Sequence, residues 1–181
     1  MRIKLLLFAA LLISCNAVKE NKANQTSSRD SEKVGKSPSS YSSRIHLDKI
    51  SFDTLISNTH ILYSSHDLDD SIACKTYDDK GRSSVDVYSD RSISLKIEKD
   101  GKPIFEKEIG KIDFKSIVPL KELPNYLISS FSFERIEGTG YLFSLLICKP
   151  DTDICYPIEL LISNDGVMHS KELEVNDEDN E

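Results

Sequence analysis

"SISLKIEKDGKPIFEKEI", Ser92 to Ile109, decides the fold class. Ile93, Leu95 and Ile97 alternate with Ser92, Ser94, Lys96 and Glu98, the period-two pattern of a strand with one buried face. "KDGK", Lys99 to Lys102, then signals a hairpin, because Asp-Gly tolerates the positive φ angles of a tight turn. The return strand is "PIFEKEI". A two-residue loop would set Ile97 opposite Ile104 and Leu95 opposite Glu106. An odd loop would set Ile97 opposite Phe105 and Ile93 opposite Ile109. Register follows the buried face, so the odd loop is expected.

The same pattern recurs downstream. In "ISSFSFERI" Phe131 and Phe133 alternate with Ser and Glu. Gly138-Thr139-Gly140 reads as a turn, and "YLFSLLIC" and "CYPIELLIS" as a further hairpin. Asn164-Asp165-Gly166 turns the chain into a last strand, "VMHSKEL". Between these strands, "KIDFKSIVPLKELPNYL" breaks the alternation. Pro119 and Pro124 deny it a long helix, leaving one or two short helical turns. Upstream of Val85 the signal fades. "THILYSS" reads as a strand, and "DLDDSIACKTYDDKGRSS" as a polar loop with a short strand near Ile72 to Thr76. The expected class is mainly β, an antiparallel sandwich or partial barrel with one or two short helical turns. An α+β roll, with Phe114 to Leu127 packed on a sheet, is the alternative.

Register also pairs two cysteines. Tyr141, Phe143, Leu145 and Ile147 share one face of the first strand, and Tyr156, Ile158, Leu160 and Ile162 one face of its return. Matching them sets Ile147 opposite Tyr156, Phe143 opposite Leu160 and Leu146 opposite Pro157. Cys148 then lies opposite Cys155 on the other face. Proline has no N–H to give, so its pair and the cysteine pair are of the non-hydrogen-bonded kind, whose side chains approach closely. A Cys148–Cys155 disulfide is expected, closing the loop "KPDTDI" and leaving Cys74 a packed, inert thiol.

The N-terminus speaks to location. Arg2 and Lys4 form a basic start, and Leu5 to Ile13 an apolar run of signal-peptide length, too short to span a bilayer as a helix. Leu12-Ile13-Ser14-Cys15 resembles the bacterial lipobox. That resemblance implies a diacylglycerol on Cys15, cleavage just before it and acylation of the new amine. Two or three acyl chains would give stable anchoring. Asn16, not aspartate, follows the cysteine, which favours the outer membrane. The expected organisation is a signal peptide over 1–14, a lipid anchor and disordered tether over 15–43, one mainly-β domain over 44–175 and an acidic tail over 176–181. The tether is rich in Ser, Lys, Asn and Glu and too poor in apolar residues to offset its ordering entropy.

Composition narrows the function classes. The 181 residues hold 30 Asp and Glu against 23 Lys and Arg, a formal net charge of −7. An acidic body is a poor nucleic-acid binder, since phosphate contacts need Lys and Arg. No C-x-x-C, H-E-x-x-H, G-x-S-x-G or glycine-rich phosphate loop occurs, so no catalytic residue, metal ligand or cofactor is assigned. His46, His60, His66 and His169 are scattered along the chain. Asp67, Asp69, Asp70, Asp78 and Asp79 read as a solvated loop, lacking the glycine and terminal glutamate of a calcium loop. Asp86 and Asp90 have the residue type of an acid–base pair but no spacing that singles them out.

The stretches "SISLKIEKDGKPIFEKEI", "CKPDTDICYPIELLIS" and "NDG", within Val85 to Leu173, resemble a family of small lipoproteins of gut Bacteroidetes built on a domain of unknown function. The resemblance implies an anchored envelope domain and carries no functional residues across. The leading expectation is therefore a membrane-anchored, non-enzymatic binding or accessory module with a protein or small-molecule partner. One alternative is an acidic inhibitor or protective protein that binds a cationic enzyme such as a lysozyme. Its candidate partner loop holds Lys149, Asp151 and Asp153. The other alternative is a small envelope hydrolase with a site assembled from distant residues.

Overall fold

The computed structural model describes residues 15–17, 41–78 and 81–174. The strands are β1 (Cys15–Ala17), β2 (Tyr41–Ile45), β3 (Ser51–Ile56), β4 (Thr59–Tyr77), β5 (Ser83–Lys99), β6 (Lys102–Ile109), β7 (Leu127–Glu137), β8 (Gly140–Cys148), β9 (Cys155–Ser163) and β10 (Met168–Glu172). Among the described residues the only helical elements are two 3-10 turns, Lys111–Phe114 and Leu123–Asn125. The protein is, among the described residues, mainly β, two sheets packed as a sandwich with no closed barrel, and the α+β alternative is set aside.

A long hairpin, β4–β5, organises the first sheet. Its near half, Thr59–Asp67 against Arg91–Lys99, is flanked by β3 on β4 and β6 on β5. Its far half, Ser71–Tyr77 against Ser83–Ser89, is flanked by β1 on β4 and by β2, parallel, on β5. The second sheet is an antiparallel meander in the order β10-β9-β8-β7.

The core lies between the second sheet and the near half of the hairpin. Ile61, Tyr63, Ile93, Leu95 and Ile97 meet Phe131, Phe143, Leu145, Ile147, Ile158 and Leu160. Each such side chain contributes roughly 1.5–3 kcal/mol on burial. The connection between the sheets adds buried Phe114, Val118 and Leu123 at one side; Pro119 lies between the two 3-10 turns and Pro124 within the first positions of the second, where its missing N–H is tolerated. Tyr63 stands edge-on to Phe131 at 4.9 Å, and its hydroxyl oxygen accepts the Phe133 N–H at 3.1 Å, which satisfies a donor on the free edge of β7.

The Ser92–Ile109 register is as expected: Ile97 faces Phe105 and Ile93 faces Ile109. Its cause differs. The loop has two residues, with Lys99 paired to Lys102, and both Asp100 (φ 53°) and Gly101 (φ 72°) adopt the left-handed angles of a type I′ turn. Glu98 then pairs with Pro103, and a bulge at Ile104 supplies the odd residue. That bulge is braced from the other sheet. A β-carbon on Gly166 (φ 80°) would stand 2.3 Å from the Ile104 carbonyl oxygen, so only glycine fits the β9–β10 turn there.

One expectation upstream needs correction. The stretch read as a polar loop with a short strand near Ile72 to Thr76 is strand from its start through Tyr77, interrupted only where Leu68, Asp69 and Asp70 bow out opposite Asp90. Pairing to β5 and cover from β1 override the low strand propensity of Asp and Ser. Cys15–Ala17 and Tyr41–Ile45 are strands paired to the open edges of β4 and β5. Residues 1–14, 18–40 and 175–181, and with them the signal-peptide, most of the tether and the tail expectations, lie outside the described residues.

Past the bulge the buried face changes. Near-half β5 buries its odd positions, whereas in the far half Ile72 and Cys74 pack with Leu127 and, partly, Leu47 and Tyr88, an even position. Asp90, Arg91 and Ser92 sit at the changeover and all three are buried. Asp90 is met by Lys111 at 2.9 Å, and Arg91 donates through Nη1 to the Asp48 carbonyl at 2.9 Å. Burial pulls the Arg91 pKa down, opposed by Asp67, Asp48 and Asp90.

Candidate functional site: a histidine between two carboxylates

The near end of the hairpin carries two tight turns side by side. Ser57 (φ 57°) and Asn58 close β3–β4, and Asp100 and Gly101 close β5–β6. They are tied together: the Asn58 amide donates to the Asp100 carboxylate at 2.6 Å, and the Asp100 N–H to the Asn58 carbonyl at 2.9 Å. This brace fixes three strands whose outward side chains form the site. His60 on β4 lies directly between Leu55 on β3 and Glu98 on β5. Its Nε2 is 2.7 Å from Asp53 Oδ1, and its Nδ1 is 3.7 Å from Glu98 Oε2. Glu98 also takes Lys96 at 2.8 Å. Leu55, Asn58, His60, Glu98 and Gly101 line a shallow depression of about 330 Å³.

The electrostatics follow from these partners. The hydrogen bond to Asp53 is the main force raising the His60 pKa; burial opposes it, and the Asp53 charge and Glu98 add to it. Hydrogen bonding from Lys96 pulls Glu98 down, with His60 helping. The cluster therefore favours an imidazolium held by two carboxylates. Both side chains that His60 meets at its ring nitrogens are carboxylates, so the ring sits as an ion-pair member. On the same outward face Glu106 and Glu108 stand opposite Lys96 and Ser94.

The cysteine expectation holds at the level of structure. Cys148 and Cys155 are joined, their Cα atoms 4.1 Å apart, in the register Ile147–Tyr156, Leu146–Pro157 and Phe143–Leu160. The short Cα separation is that of a non-hydrogen-bonded pair. The loop they close is exposed at Asp151, Asp153 and Ile154 and packs its inner side on the far half of the hairpin. Pro150 is buried. The Cys74 thiol lies 3.9 Å from the Pro150 carbonyl oxygen. The Tyr88 hydroxyl donates to the Asp151 carboxylate, and burial and that bond both push the Tyr88 pKa up. Lys149 donates its N–H to the Ile154 carbonyl at 3.0 Å, and Asp151 and Asp153 are both exposed, Asp151 accepting from Tyr88. The loop is thus the lid of the far-half cluster.

Residues 35–169 match DUF4738, a domain of unknown function. The chain belongs to the DUF4738 family. No curated protein matches it. The DUF4738 match runs from just before β2 to the start of β10, so it takes in both hairpin halves, the His60 cluster and the disulfide.

The other residues singled out in the sequence stay apart. His46 reaches Asp67 at 3.9 Å, His66 reaches Ser64 at 3.1 Å, and His169 lies on β10 in the other sheet. Asp86 accepts from Ser43 and Asp90 from Lys111, on different neighbours. Asp69 and Asp70 are exposed at the bulge, and Asp79 lies outside the described residues. Among the described residues no group of three or more His, Cys, Asp or Glu is arranged to hold a metal. Sequence reasoning missed the His60 cluster. Its signal was the Ser57-Asn58 turn between two alternating segments, which places Asp53 and His60 on one outward face.

Proposed function

We propose that this DUF4738 domain is a lipid-anchored protein of the bacterial envelope, acting as a non-enzymatic binding or accessory module. The observation that carries the reading is the preformed Cys148–Cys155 disulfide behind a lipobox-like Leu12-Ile13-Ser14-Cys15. A cross-strand disulfide persists in an oxidising compartment, which is where a lipobox sends a chain. The His60 cluster supports binding over hydrolysis, because its imidazole is engaged by two carboxylates rather than by a hydroxyl or thiol.

The test is peptide-level mass spectrometry on protein purified from its native membrane without reductant. A diacylglycerol thioether on Cys15 together with a linked Cys148–Cys155 peptide is expected. An unmodified Cys15 overturns the anchor, and reduced Cys148 and Cys155 overturn the oxidising compartment.

A second reading, recognition of a cationic protein such as a lysozyme, is favoured by the exposed carboxylates Glu106 and Glu108 on the outward face of the near half. It adds that face to the disulfide loop with Lys149, Asp151 and Asp153 as a candidate contact. Binding of that kind weakens steeply with added salt, and capture that is indifferent to salt contradicts it.

A further inference from the structure

We infer that the far end of the β4–β5 hairpin is a bilayer-facing surface, with Lys75 and Tyr77 at the lipid headgroups and the His60 end held away from the membrane. This rests on the lipid-anchored reading and adds to it an orientation. Two independent placements put the anchored segment at the far end. The backbone of β1 pairs with Ile72–Cys74, with Cys15 in register with Cys74, three residues from Tyr77. The chain then re-enters the body through β2, where Tyr41 pairs with Ser84 beside the same tip.

The chemistry of the tip suits a headgroup layer. Tyr77 is 66% exposed, and the Lys75 ammonium stands 5.2 Å from its ring centroid. An exposed tyrosine offers an apolar ring and a polar end, and a lysine beside it meets anionic phosphates. Asp78 at the tip is already engaged by Arg82 at 2.7 Å, which mutes its repulsion. At the opposite end Asp53 and Glu98 are already held by His60 and Lys96, so the orientation is carried by the placement of β1 and β2 and by the tip, not by repulsion there. The 17 residues of β5 span up to about 55 Å at about 3.3 Å per residue, enough to separate the two environments.

The test uses the full-length protein purified from membranes and reconstituted in phosphatidylethanolamine–phosphatidylglycerol vesicles. A fluorophore is placed on Ser83→Cys, paired with Tyr77 at the tip, or on the exposed Leu55→Cys, so that Lys75 and Tyr77 stay intact. Labelling is done without reductant, and lipid-borne nitroxide quenchers report proximity to the bilayer. Quenching at position 83 should exceed that at position 55 by at least about threefold, because quenching falls off within the interfacial layer. The mass of the Cys15 peptide is read on the same samples. Lipid on Cys15 with equal or reversed quenching overturns the orientation alone. Absence of lipid on Cys15 overturns the anchored reading and this orientation together.

Discussion

The near and far halves of one hairpin, built from the same two strands, are stabilised in different ways. The near half lies on a full second sheet and buries Ile61, Tyr63, Ile93, Leu95 and Ile97 in the main core. The far half has a small cluster, Ile72, Cys74 and Leu127, closed by Tyr88 and the disulfide loop. Between them a bulge on β4 and three consecutive buried residues on β5, Asp90 to Ser92, switch the buried face. Strand pairing alone does not decide which side of a sheet is inside. The partner layer does, and where it changes, the alternation in the sequence must break.

The largest expected effect is in the near half. Leu95→Ala removes a fully buried side chain from the main core and should cost about 3 kcal/mol in denaturant titration. Ile72→Ala, equally buried but in the smaller cluster, should cost about 2 kcal/mol, since fewer fixed neighbours surround the cavity. An equal or larger loss at Ile72 would erase the distinction between the halves. Opening Cys148–Cys155 by paired serine substitution should lower stability by about 2 kcal/mol, the loop-closure value for so short a ring, seen as a shift of the urea midpoint. Tyr88→Phe deletes only the bond to Asp151 and should cost about 1 kcal/mol while loosening the loop.

The smallest effect concerns the His60 cluster. Its pKa is raised in the folded state, so the contribution of the ion pair is fully present below the unfolded imidazole pKa and is lost as pH rises through the folded value. Asp53→Asn should move the His60 titration, followed by NMR, downward toward the ordinary imidazole range. A titration indifferent to that change would mean that the bond to Asp53 does not hold the ring.

How much of this was legible in the sequence follows the same division. Ile93, Leu95 and Ile97 alternate cleanly because one partner layer covers the whole near half, and the Tyr141–Ile162 hairpin gave its register and its disulfide for the same reason. Of Ser71 to Tyr77 only a short strand near Ile72 to Thr76 was legible, because the segment packs on Leu47, Leu127 and Tyr88 rather than on a full second sheet that would impose a clean two-residue period. The odd register at Phe105 was readable from the buried face, but the bulge at Ile104 that produces it was not, since Asp-Gly alone fits a two-residue turn. Asp53, His60 and Glu98 come from three strands, so their meeting depends on a pairing of β3 that Ser51–Ile56 did not announce.

Hydrogen exchange of backbone amides, with and without reductant, tests the two-environment account most directly. Amides of residues 61–65 and 93–97 should be the slowest, and those of residues 72–76 and 84–88 faster. Reducing Cys148–Cys155 should accelerate the far-half set and leave the near-half set unchanged. Uniform protection along the hairpin, or acceleration of the near half on reduction, would contradict it.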